Sequence, residues 1–475
     1  MKSIYKIIVA VLLFTVGSCK DTLEVKIPTG TYTTETMYGS VASARTAMRG
    51  IYASMVGDFF SISIMQGMIS GTLGISSDEL VRATYDANQQ LFFDNNVLPE
   101  TGTLSAIWGG CYSYIYKCNA LIEGVTNSTA LSIEAKNALI GEARTIRAYF
   151  YFYLTNLFNK VPLALTAEYE VNRLLPASEQ SAVYQAIIDD LVFAKANADT
   201  RYTAAGTRFQ MNRWTATALL ARVYLYQKDW AKAEEEATLV LNETTIYKLE
   251  SLTNIMRTSS TETIWALSGG NNLTAGEAAT VGGSVSTNTG NRLSPGLVAA
   301  FENGDQRKTM WTRAGTGTGA GTFAPFKYKT FSNVVGAIQE STTLMRLAEQ
   351  YLIRAEARAK QNKLAGAISD LDVIRKRAGA VDNNDAASGN HLVDFKTIAF
   401  SNPSISQTDL VKLIYKERWR ELFSEQGHRW LDAKRSGMSL GDFFEGRKPG
   451  ISDADAYYPF PAGEVNLNPN LNQLN

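Results

Sequence analysis

Histidine and cysteine are scarce in this 475-residue chain, which has 2 His and 3 Cys, and its 46 Lys plus Arg are matched by 46 Asp plus Glu. His391 and His428 have no partner at ligand spacing, so almost nothing is left from which to build a catalytic triad or a multi-histidine metal site. Three cysteines cannot make a disulfide framework. A formal charge of zero supplies no field to draw in nucleic acid or anionic lipid. HExxH, CxxC, GxxxxGK[ST] and a post-strand GxGxxG are all missing. The run Gly315-Thr316-Gly317-Thr318-Gly319 imitates a phosphate loop, but it lacks the following Lys and a strand before it. No metal or cofactor is implied.

What the chain does have is apolar material, 45% of residues with 10% aromatic, which excludes global disorder and suits a large folded core. Its first residues read as an address. Lys2 and Lys6 precede an apolar run from Ile7 to Phe14, and Gly17 and Ser18 form a small-residue exit. This is a secretory signal, too short to span a bilayer stably. The run Val16-Gly17-Ser18-Cys19 resembles a bacterial lipobox, with Val16 where Leu is usual, so Cys19 is expected to become a diacylated first residue. The alternative is plain secretion with a free Cys19. Nothing later in the chain resembles a membrane span.

Residues 1–18 are therefore assigned to the signal peptide, 19–30 to a lipidated tether, 31–250 to an N-terminal helical half, and 251–475 to a C-terminal half that includes a loop-rich insertion. Apolar residues recur at three- and four-residue spacing in Val41 to Met55, Trp108 to Gly124, Ala138 to Phe158 and Val183 to Ala196. Met211 to Asn242 predicts a helical hairpin turning at Lys228-Asp229, with Ala216, Leu220, Ala221 and Tyr224 on one stripe and Ala233, Ala237 and Val240 on the next. Ala355 and Ala367 repeat Ala221 and Ala233 at a common offset, which predicts a second hairpin of tetratricopeptide-like spacing. The two are not tandem, so the superhelix must be interrupted. The Gly-, Ser- and Thr-rich stretch from Gly269 to Gly296 is expected to be irregular, as is Gly315 to Gly321. Glu262 to Leu267 and Phe323 to Phe331 can form short strands, Ala380 to Ser406 is loop-rich, and Tyr457 to Asn475 should be extended.

Cys111 and Cys118 lie seven apart on a predicted helix, roughly 10 Å between Cα atoms and beyond disulfide reach. Asp78-Glu79 is an acidic pair of the kind glycoside hydrolysis uses, although adjacency in sequence does not establish the required separation. The densest polar group is Glu417-Arg418-Trp419-Arg420-Glu421, continued by Glu425, His428, Arg429, Asp432 and Arg435. Glu417, Glu421 and Glu425 follow helical spacing, as do Arg418 and Glu421, which predicts a structural ion-pair network locking one helix pair rather than a ligand site.

These residues resemble a known signature. Glu417 to Leu422 with Glu425 to Asp432 is similar to the ERRxEL and EGxRxxDL blocks of the SusD/RagB family. Gly141-Glu142-Ala143-Arg144, Ile146 to Tyr149, Leu157-Phe158 and Val161-Pro162-Leu163 resemble the family's GEAxFLRA block and its continuation through FGxVPL. Leu352 to Ala357, Asp370-Leu371 and Arg377-Ala378-Gly379 resemble its second repeat, and Tyr458-Pro459-Phe460-Pro461 its closing block. Departures are Trp419 where Arg is usual, and Ser424 and Gln426 around the Glu-Gly pair. The resemblance implies a mainly α fold, an irregular tetratricopeptide-like superhelix with a short-strand insertion. It also implies a lipid-anchored outer-membrane protein, facing the cell exterior and lying over a SusC-like TonB-dependent transporter, that captures a glycan or, in some members, a peptide without catalysis.

A surface hydrolase and a purely structural scaffold are the rival readings; the first needs a convergent acid–base set that the sequence does not display. A sugar site needs exposed rings flanked by polar groups. Tyr85 among Asp78, Arg82, Asp86 and Asn88, and Trp311 beside Arg307 and Arg313, meet that description, so Asp78, Tyr85 and Trp311 are the candidate ligand residues. Trp108, Trp214, Trp230 and Trp430 fall on helical stripes and are expected in the core.

Overall fold

The structure is a computed structural model that describes residues 33–56, 64–82, 86–202, 207–268, 290–330 and 339–471. The signal peptide, Cys19, the tether and Tyr85 lie outside the described residues, as do 269–289 of the stretch expected to be irregular.

The described chain is mainly helical. Its principal elements are α1 (Val41–Val56), α2 (Ile69–Ser76), β1 (Leu80–Arg82), α3 (Gly102–Asn127), α4 (Ile133–Phe158), α5 (Gln180–Asn197), α6 (Arg213–Tyr226), α7 (Trp230–Leu241) and β2 (Thr263–Leu267). They continue with β3 (Asn291–Leu293), α8 (Pro295–Ala300), β4 (Thr312–Ala314), β5 (Phe323–Pro325), β6 (Thr342–Arg346), α9 (Leu347–Lys360) and α10 (Leu364–Arg377). Last come α11 (Gln407–Leu422), α12 (His428–Arg435), α13 (Leu440–Phe443) and α14 (Ala462–Leu467).

Each helix from α3 to α7 packs on the next, and α7 then packs on α9, which carries both α10 and α11. The insertion between α7 and α9 thus leaves the helical stack continuous in space. Both expected hairpins are present: Ala221 and Ala233 in the first and Ala355 and Ala367 in the second are fully buried, so the paired backbones approach with only a methyl group between them. Lys228 and Asn362 stand at matching places in the two turns, and both adopt φ +60°. The starts are sealed locally. Asn212 and Thr215 form a capping box at α6, and Asp229 accepts the Lys232 amide at α7.

The strands among the described residues make four two-stranded antiparallel ladders; β1 pairs with β3, β2 with β6, β4 with β5, and the short Val161–Pro162 with Ala177–Ser178. Leu80 faces Leu293 in the first, which ties the N-terminal half to the strand entering α8. Cys111 and Cys118 are buried and unbridged. Trp108 and Trp430 are core residues, while Trp214 and Trp230 pack half-buried against it. One expectation fails at the C-terminus, where Ala462–Leu467 is helical rather than extended. The Ala462 amide donates to Pro99 O and the Asn468 side chain to Leu175 O, tertiary bonds that hold this turn of helix in place.

The ion network is real and larger than a helix pair. Glu417 and Glu421 face inward from α11, with Glu425 just beyond its end. Glu417 receives Arg307 at 2.6 Å, Arg420 at 2.7 Å and Arg375 at 3.0 Å. Glu421 receives Arg346 at 2.6 Å, Arg307 at 3.1 Å and Arg377. Glu425 takes Arg346 and Lys327. Arg418 bonds Asp432 of α12 at 2.7 Å rather than Glu421. Burial works against the charge on Glu421, but Arg377, Arg346 and Arg307 outweigh it and hold the carboxyl down at about 2.

Candidate functional site

The inward face of α11 is clamped by arginines, and its opposite face borders a cleft of about 760 Å³. Asp409, Lys412, Leu413, Lys416 and Trp419 line it at helical spacing along one side. Gly296, Ala299 and Ala300 of α8 form a second wall, and Met438, Asp442, Phe443, Glu445 and Arg447 close the third. Gly296 is needed for this closeness, since a Cβ there would lie 2.6 Å from Arg447 Cδ and 3.5 Å from the Trp419 ring.

The floor is built from Arg429, Trp419 and Phe443. The Arg429 guanidinium carbon lies 4.2 Å from the Trp419 ring centre and 4.3 Å from that of Phe443, and Arg447 lies 5.0 Å from Trp419. Stacked guanidinium groups fix the ring and leave their edges for hydrogen bonding. Asp78 holds both arginines from beneath: Arg429 Nε donates to Oδ1 at 2.7 Å, and Arg447 Nε to Oδ2 at 2.7 Å. Burial opposes the charge on Arg447, but the hydrogen bonds and negative charges of Asp78 and Glu445 together more than compensate, so its pKa is raised.

Asp78 is thus a support of the cleft rather than an exposed contact, being 4% exposed. Its neighbour Glu79 turns away to accept the Ser424 amide at 2.6 Å, and burial pushes its carboxyl up to about 8. The two carboxyls therefore do not face a common space as a hydrolytic pair would. Trp311 corrects the sequence reading more sharply. It is fully buried, its indole N–H donates to Leu252 O at 2.7 Å, and its ring packs near Phe423. The neighbouring Arg307, read as a polar flank, is consumed by the buried network. The three candidate residues are not brought together at a described surface.

Sequence reasoning missed Lys412, Lys416 and Arg447. The signal was available on α11, where Lys412, Lys416 and Trp419 fall on the face opposite Glu417 and Glu421. Arg447 carried no signal, because it reaches the cleft from a loop.

Comparison with known proteins places this architecture. The sequence model of the SusD family matches residues 195–475, and one described as "Starch-binding associating with outer membrane" matches residues 40–225. SusD-like protein P25 of Formosa agariphila is 23% identical over an alignment covering 98% of this chain and 97% of that protein. SusD-like protein P2 of the same organism is 31% identical, but the alignment spans only 50% of this chain and 46% of that protein. Starch-binding protein SusD of Bacteroides thetaiotaomicron is 31% identical over 27% of this chain and 20% of its own. A solved SusD-like carbohydrate binding protein from Bacteroides fragilis superposes with a TM-score of 0.74, covering 92% of this chain and 100% of that one at 20% identity. A SusD superfamily protein from Bacteroides thetaiotaomicron gives 0.73, with 91% and 99% covered at 20% identity.

Proposed function

This chain belongs to the SusD family, and from that premise we propose that it is a surface-exposed outer-membrane lipoprotein that captures a glycan and delivers it to a SusC-like TonB-dependent transporter, with no chemical step of its own. The observation that carries the reading is the cleft beside α11. Its volume of about 760 Å³ suits an oligosaccharide segment, and its lining mixes apolar side chains such as Leu413 and Met438 with Lys, Arg and Asp groups. Sugars need both, an apolar surface for their C–H faces and donors and acceptors for their hydroxyls. The helix that presents the cleft is held rigid from behind, so little ordering is left to be done on binding. Asp78 belongs to this site as the group that orients Arg429 and Arg447, and Tyr85 stays a candidate contact on its sequence context alone.

A glycan array probed with the purified chain should return at least one oligosaccharide class. Ala299 is an exposed cleft residue, and Ala299→Trp should fill the space and weaken that binding at least about tenfold. Mild-detergent extracts of outer membrane should yield a TonB-dependent transporter with the chain. Retention of peptides and no glycan would replace sugar by peptide as cargo.

A further inference from the structure

Lys412 and Lys416 are both exposed, stand one turn apart on α11, line the same cleft, and make no ion pair among the described residues. Two like charges at this spacing repel, and a helix that keeps them without an acidic partner gains nothing from the arrangement. The acids of the cleft are committed elsewhere. Asp409 accepts the Ser406 hydroxyl at 2.7 Å in the first turn of α11, where negative charge compensates the helix N-terminus. Asp442 accepts the Ser439 hydroxyl at 2.7 Å in the matching cap of α13. Glu445 takes Arg447 Nη1 at 2.5 Å. Asp78 is one carboxylate shared between two guanidinium groups. Arg447 keeps part of its surface exposed, and its Nη2 makes no hydrogen bond among the described residues.

From this geometry we infer that the cleft binds an anionic oligosaccharide, whose carboxylate or sulfate group sits against Lys412, Lys416 and Arg447 while its sugar ring lies along Leu413 and Met438. The inference rests on the capture reading and names the chemical class of that ligand. Uronate and sulfate ester share the chemistry these donors recognise, a diffuse negative charge with several acceptor oxygens.

The test is calorimetry on the full lipidated chain in detergent with three probes: an oligogalacturonate, a chondroitin sulfate oligosaccharide and a neutral malto-oligosaccharide. One of the two acidic probes should bind most tightly, and which one separates carboxylate from sulfate. Its affinity should fall roughly tenfold between about 50 and about 500 mM salt. Lys412→Gln with Lys416→Gln should weaken it by about tenfold or more with an unchanged melting temperature, and Lys412→Arg with Lys416→Arg should retain it. If the neutral probe binds best and the glutamine variant binds it equally well, the charge inference falls and the capture reading stands. If an acidic probe binds but Ala299→Trp leaves it untouched, the cleft is the wrong place. If the chain retains peptides and none of the three sugars, both readings fall.

Discussion

Arg222 and Glu349 form a bidentate ion pair, Nε to Oε1 and Nη2 to Oε2 both at 2.7 Å, with the two side chains 1% and 2% exposed. The pair joins α6 of the first hairpin to α9 of the second across the whole insertion. Removing one partner strands a buried charge, so Arg222→Met should lower unfolding free energy by about 3–5 kcal/mol, whereas Arg222→Met with Glu349→Met should recover most of the loss. Urea denaturation of the two single variants and the double variant measures both, and a double loss equal to the sum of the single losses would show that the pair is not coupled.

The pH profile follows from opposed carboxyl groups. Glu79 is pushed up to about 8 and Glu142 to about 7, chiefly by burial, against an ordinary value of 4.5. The folded state keeps protons there that the unfolded chain releases, so this stability is complete below pH 4.5 and is lost as pH rises toward 8. Glu421, held down at about 2, acts in reverse; its contribution is complete above 4.5 and is lost as pH falls toward 2. The combined contribution of these three carboxyls should therefore be greatest at about pH 4 to 5. Glu79→Gln should flatten the decline on the alkaline side, as read from urea midpoints; an unaltered slope would remove Glu79 as its source.

Gly427 opens α12 at φ +72°, and a Cβ there would lie 2.3 Å from Leu73 Cδ1. Leu73 is fully buried in α2 and has no room to retreat. Gly427→Ala should cost on the order of 2–4 kcal/mol through backbone strain and overpacking together. Pairing it with Leu73→Ala removes the Cδ1 contact but leaves Leu73 Cβ 2.7 Å from the new methyl group and the φ still strained, so thermal melts of the double variant should show little rescue.

Trp311→Ala should destabilise the chain by about 3–5 kcal/mol, because it empties a buried site and orphans Leu252 O. Near-wild-type melting with loss of sugar binding would restore Trp311 as a ligand platform.

Cys19→Ser should abolish fatty-acid labelling and globomycin-sensitive processing, and release the chain from the membrane fraction. Two acyl chains on a diacylglyceryl group supply the hydrocarbon that stable anchoring needs. Persistent labelling in the variant would move the anchor elsewhere.

The helices were legible along the chain, because their apolar spacing and caps are local properties of a few turns. Ala221, Ala233, Ala355 and Ala367 announced two hairpins, and all four alanines are buried at helix contacts. Glu417, Glu421 and Glu425 were likewise marked as a network, since their spacing puts them on one side of the chain. The identity of their partners was not legible. Arg307, Arg346 and Arg377 reach these carboxylates from distant segments, and only the packing of the insertion and of the end of α10 against α11 decides those pairings. Exposure was decided in the same way. Trp311 has the flanking residues of a surface ring, yet tertiary packing closes over it. Lys412 and Lys416 look like an ordinary solvated face until α8 and the loop ending at Arg447 build a cleft around them. Periodicity is read along the chain, but burial and the meeting of charges depend on which segments share space, and that is a property of the folded whole.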